Sequence, residues 1–94
     1  AESFDAVVMV KPQFEVGRDR VGRGGVVRDP QLRKESVAVV AEFARERCGA
    51  AVIGFASSGL PGPKGNQESF IHLAEATREG ALTSLGAALD EAAL

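Results

Sequence analysis

The stretch Phe4-Asp5-Ala6-Val7-Val8-Met9-Val10-Lys11-Pro12 decides the fold class. Its nearly continuous apolar run, rich in β-branched residues, suits a strand buried on both faces, as in a parallel sheet. Lys11-Pro12 ends the run. Proline has no N–H for the ladder, and its ring pushes the preceding residue toward extended geometry. Lys11 is therefore predicted at the carboxyl end of this strand.

Beyond it, residues 13–28 contain Gly17, Gly22, Gly24 and Gly25 and keep no helical or strand period. Segments of that length without regular structure are usually functional or disordered. Asp29-Pro30 then opens a helix, with aspartate as N-cap and proline in the first turn. Leu32, Val39, Val40 and Phe43 are predicted to form its buried stripe, with Arg33, Lys34, Glu42, Arg45 and Glu46 mostly away from it. Gly49, just past Cys48, is a natural stop. A second strand is predicted at about residues 51–56. The Pro/Gly-rich run from Ser57 to Gln67 reads as a loop, and a third strand starts near Glu68. A last helix is predicted from about Thr83, with Leu82, Leu85, Leu89 and Ala92 spaced to pack, although Gly86 counts against it. The first strand, helix and second strand form a βαβ unit, and the third strand returns antiparallel. The class is α/β, as part of a larger open sheet.

Ninety-four residues make one small domain, which buries a limited fraction of its surface. Apolar residues are 45% of the chain; with neither Trp nor Tyr, the core must come from Phe, Val, Leu and Ala. The net charge of −2 is unevenly spread. From Lys11 to Arg28 there are five basic residues (Lys11, Arg18, Arg20, Arg23, Arg28) against Glu15 and Asp19, a net +3 that leaves −5 elsewhere. Such an island is a candidate polyanion contact, although on composition alone a solvated loop is the preferred reading. With Cys48 alone, no intrachain disulfide can form, which fits a reducing, cytoplasmic setting. No apolar run approaches the ~20 residues that span a bilayer. The N-terminus lacks the features of a secretory signal and begins almost at a strand, as a fragment would.

Most familiar chemistries find no footing. Gly22-Arg23-Gly24-Gly25 fails the dinucleotide pattern at Val27 and lacks the lysine and hydroxyl of a phosphate loop, so these glycines are read as turn residues. His72 has no second His or Cys at ligand spacing; it reads as a packed or edge histidine, and no metal site is expected. Cys48 is expected to be partly buried filler.

Two segments stand out. Val10-Lys11-Pro12-Gln13-Phe14-Glu15 with Gly24-Gly25-Val26-Val27-Arg28-Asp29-Pro30, and Gly62-Pro63 followed by Gly65-Asn66 and Glu68, resemble the TlyA, or haemolysin A, family of FtsJ-like ribosomal RNA methyltransferases. The resemblance runs from about Phe4 to Leu73. One departure is Gly59, where the family usually has proline before the Leu-Pro-Gly-Pro run.

The resemblance implies a parent with an RNA-binding domain followed by a Rossmann-like methyltransferase domain. That domain uses S-adenosyl-L-methionine to methylate ribose 2′-hydroxyls of ribosomal RNA. Residues 1–80 would be the C-terminal half of the methyltransferase domain, and residues 81–94 a C-terminal helix packed on it. In the family's Lys-Asp-Lys-Glu tetrad, Lys11 matches the second lysine and Glu68 the glutamate. The other two members and the cofactor motif lie upstream in the family, so the chain alone is expected to be inactive. Methylating a hydroxyl requires its proton to be removed or the developing alkoxide stabilised, and a lysine beside another cation can do this. The carboxyl edge of an open α/β sheet is where ligands bind. Lys11 ends the first strand there, and an antiparallel third strand begins there with Glu68. Arg18, Arg20, Arg23 and Arg28 are then candidate phosphate contacts, which position RNA without reading sequence. The expected partners are ribosomal RNA or ribosomal subunits and no membrane, with a sheet edge through which two copies could pair. The competing reading is a haemolysin-like or non-catalytic interaction module.

Overall fold

A computed structural model describes residues 3–15, 25–61, 66–92 and 94. The chain forms β1 (Asp5–Val10), α1 (Pro12–Glu15), α2 (Pro30–Arg47), β2 (Ala51–Pro61), β3 (Gln67–Ala74) and α3 (Leu85–Ala92). The three strands make one sheet in the order β1-β3-β2, with β3 antiparallel to both neighbours. β1 and β2 therefore run parallel, joined through α2, and β3 is inserted between them. This is the expected α/β arrangement of a βαβ unit, an antiparallel strand and a C-terminal helix.

Local chemistry places α2 where the sequence predicts it. Asp29 is extended and its side chain accepts from the Gln31 N–H at 2.8 Å, with Pro30 at the start of the helix. At the other end Cys48 caps the helix, and the Cys48 and Ala50 N–H groups both donate to the Ala44 carbonyl. Gly49 follows with φ 67°, the left-handed turn that glycine makes at little steric cost. Arg45 and Arg47 in the last turn complement the helix dipole.

The core lies on one face of the sheet, where Val37 and Ala41 of α2 and Leu85 and Leu89 of α3 meet Val10, Val52 and Ile71. The predicted packing of α3 holds: Leu82 and Ala92 also lie against this cluster. The predicted stripe of α2 holds at Val40, which packs against the cluster, and fails at Val39 and Phe43. Val39 and Phe43 are 53% and 60% exposed, and the buried residues are Ser36, Val37, Ala41 and Ala44. At about 100° per residue, Val39 stands nearly opposite both Val37 and Ala41. Small side chains let the helix lie close to the sheet, so apolar size misleads here.

Four further expectations are corrected. β1 is covered on one face only: Val10 is buried, whereas Val7 is 69% exposed, because α2 and α3 both pack on the same side. The segment after Lys11 opens with the single turn α1, not directly with loop. β2 extends to Pro61, so part of the predicted loop is strand, with register shifts at Val52/Gly54 and Ser57/Pro61. Cys48 is exposed. Within the second irregularity Gly59 has φ 76°, and its N–H donates to the Ser57 hydroxyl. Proline has neither that φ nor that N–H, so this backbone cannot accommodate it at position 59.

Candidate active-site edge

The last paired residues of β1 and β3 are Val10 and Ser69. Lys11 follows one and Glu68 precedes the other, so both leave the sheet at the carboxyl edge of β1. Lys11 Nζ lies 4.0 Å from Glu68 Oε2, with the lysine side chain 40% exposed and the glutamate 15%. β2 ends at the same edge, where Pro61 pairs with Gln67. Pro12, fully buried directly after Lys11, anchors the turn into α1. The arrangement sets a solvent-reachable ammonium beside a more sheltered carboxylate, which suits holding a hydroxyl group and its proton.

Of the other predicted site residues, Arg28 is exposed just before the cap of α2, and its carbonyl accepts from the Arg33 guanidinium at 3.0 Å. Arg18, Arg20 and Arg23 lie outside the described residues. Among the described residues no group of His, Cys, Asp and Glu is placed to hold a metal ion.

Asn66, read from the sequence only as a motif residue, is buried beside this edge. Its amide donates to the Gly25 carbonyl and accepts from the Val27 N–H, each at 2.8 Å. A second polar cluster sits at the opposite end of β1 and β3. Asp5 accepts from Arg78 at 2.9 Å and lies 2.8 Å from His72 Nε2, while Glu75 accepts from Arg78 at 2.6 and 2.7 Å. The Arg78 hydrogen bonds hold both carboxyls below their ordinary range, with His72 adding to the effect on Asp5. The same bonds push Arg78 up. The cluster pins the start of β1 to the turn after β3. The Glu75/Arg78 spacing was its only visible signal.

The FtsJ-like methyltransferase family profile matches residues 1–75. The chain is 52% identical over 82 residues to the 16S/23S rRNA (cytidine-2′-O)-methyltransferase TlyA of Mycobacterium tuberculosis, covering 87% of this chain and 30% of that protein. Two solved structures carry hemolysin names. The one from Streptococcus thermophilus superposes with a TM-score of 0.79 at 31% identity, over 98% of this chain and 34% of its own. The one from Lactococcus lactis gives 0.77 at 28%, over 97% and 44%. The chain thus spans about a third of the curated relative's length. With a family profile over most of its residues, and with close relatives in both sequence and structure, the chain belongs to the FtsJ-like methyltransferases.

Proposed function

We propose that this chain is the acceptor-side portion of an S-adenosylmethionine-dependent methyltransferase that acts on ribose 2′-hydroxyls of ribosomal RNA. The observation that carries the proposal is the Lys11–Glu68 pair at the carboxyl edge of β1. Lys11 steers the hydroxyl and, as the neutral amine, takes up its proton. Glu68 holds the lysine and the ribose in register. Arg18, Arg20, Arg23 and Arg28 contact the flanking phosphates.

The described residues do not fit the cofactor itself. β1 runs into Pro12 and a single helical turn, and the first turn of α2 is capped by the Asp29 carboxylate. Neither is the glycine-rich strand-turn-helix that cradles such a ligand. The work assigned to this chain is therefore confined to the acceptor hydroxyl.

The cytoplasm, where ribosomal RNA is methylated, is the corresponding location. No described helix is long and apolar enough to cross a membrane. Membrane lysis is less well supported than methylation, since a lytic helix wants a basic polar face and α3 ends in Asp90 and Glu91. β1 has no outer strand partner among the described residues, so the isolated 94-residue chain is also proposed to pair with a second copy along that edge.

The test is Lys11→Ala in the full-length parent. Methyl transfer should fall by about 10²–10⁴-fold, the usual worth of a proton-transferring group, with S-adenosylmethionine affinity little changed. A variant keeping more than about half its activity would remove Lys11 from the mechanism.

A further inference from the structure

Asn66 is 1% exposed and stands directly before β3, two residues from Glu68. Gly25 presents a carbonyl and Val27 an N–H, and the Asn66 side-chain amide meets both, each at 2.8 Å. A primary amide offers a donor and an acceptor side by side on one rigid plane. The Val27 side chain is itself buried, at 2% exposure. Gly25 has φ 78°, a turn that starts this segment. Just beyond, Arg33 holds the Arg28 carbonyl and Asp29 caps α2. The five residues from Gly25 to Asp29 are thus held at both ends. One end is fixed by Asn66, directly before the strand that carries Glu68, and in sequence the segment follows the run that contains Arg18, Arg20 and Arg23.

We propose that Asn66 is a positioning residue: its amide locks the 25–29 segment to the Lys11–Glu68 edge and so sets where the RNA backbone lies relative to the reacting hydroxyl. This rests on the reading of Lys11 and Glu68 given above. Asn66 touches neither substrate nor cofactor; it acts through the segment it holds.

The experiment uses the full-length parent with RNA substrate and compares Asn66→Asp, Asn66→Ala and Lys11→Ala. Asn66→Asp keeps size and the acceptor for Val27 but loses the donor to Gly25. It should raise KM for RNA by about tenfold while S-adenosylmethionine affinity stays near wild type and Tm falls modestly, because a carboxylate then faces the Gly25 carbonyl in a buried site, and Asn66→Ala should raise KM further. A misplacement near 1 Å is enough for effects of this size. Wild-type KM and kcat in both variants would overturn the proposal. So would a loss of Tm and cofactor affinity in step with activity in both, which would make the amide merely structural. An inactive Lys11→Ala beside an unaffected Asn66→Ala overturns this inference alone. An active Lys11→Ala overturns the reading beneath it.

Discussion

Lys11 Nζ stands 4.0 Å from Glu68 Oε2, farther apart than a hydrogen bond and close enough for the charges to act on each other. The pair is partly exposed, so its worth to folding is small, about 0–1 kcal/mol. Glu68→Gln keeps the shape and removes the charge. It should shift stability by less than about 1 kcal/mol and lower turnover of the full-length parent by roughly tenfold or more. Melting curves and single-turnover methylation check the two halves separately. A large stability loss would show that the carboxylate is a structural group.

The basic island supplies a second expectation. Replacing Arg18, Arg20 and Arg23 together with alanine should weaken RNA binding by the parent across unrelated sequences. Each lost phosphate contact should flatten the slope of log K against log salt by roughly 0.7–0.9. Base-reading side chains would instead change the preference among sequences. Titrations of two unrelated RNAs at several salt concentrations decide it, and an unchanged slope would return these arginines to the role of solvated surface.

Stability should follow burial, not residue size. Ile71 is fully buried at the centre of the sheet, so Ile71→Ala should cost about 2–5 kcal/mol. Phe43 is the larger side chain but is exposed, and Phe43→Ala in the 94-residue chain should stay within about 0.5 kcal/mol. Denaturant midpoints of the two variants give the comparison. Equal losses would mean that α2 is rotated from the orientation described.

The Arg78 cluster predicts an acid limb. Asp5 and Glu75 are held below their ordinary values of 3.8 and 4.5, chiefly by hydrogen bonds from Arg78. A depressed carboxyl stabilises the fold fully above its unfolded pKa, and the contribution disappears as pH falls through the folded value. Wild type should therefore melt higher than Arg78→Met at pH 6. That advantage should shrink steadily from about pH 4.5 downward, since both carboxyls become protonated in folded and unfolded chains alike. A gap in Tm independent of pH would assign Arg78 a packing role.

Much of the fold could be read from local chemistry. Lys11-Pro12 closing β1, Asp29-Pro30 opening α2, Gly49 ending it and the leucine spacing of α3 are short-range signals whose physics is complete within a few residues. The same order of elements placed Lys11 and Glu68 at one edge, because an antiparallel return brings a strand's start to its neighbour's end. The buried face of α2 could not be read that way. Val39 and Phe43 have the apolarity of a core stripe, but which side of a helix meets a sheet is settled by how closely the two can approach, and Ala41 and Ala44 allow the closer contact.

Local signals account for the order and direction of the main strands and helices, since capping, proline geometry and strand direction act within a few residues, and the family resemblance marked Lys11 and Glu68 as the candidate site. Tertiary structure alone decided that β3 lies between β1 and β2, that one face of β1 is left uncovered, and that Asn66 clasps Gly25 and Val27. Each of these joins residues far apart in the chain. Their partners are chosen by the competition to pair every buried polar group and fill the core, and no short window of sequence contains that competition.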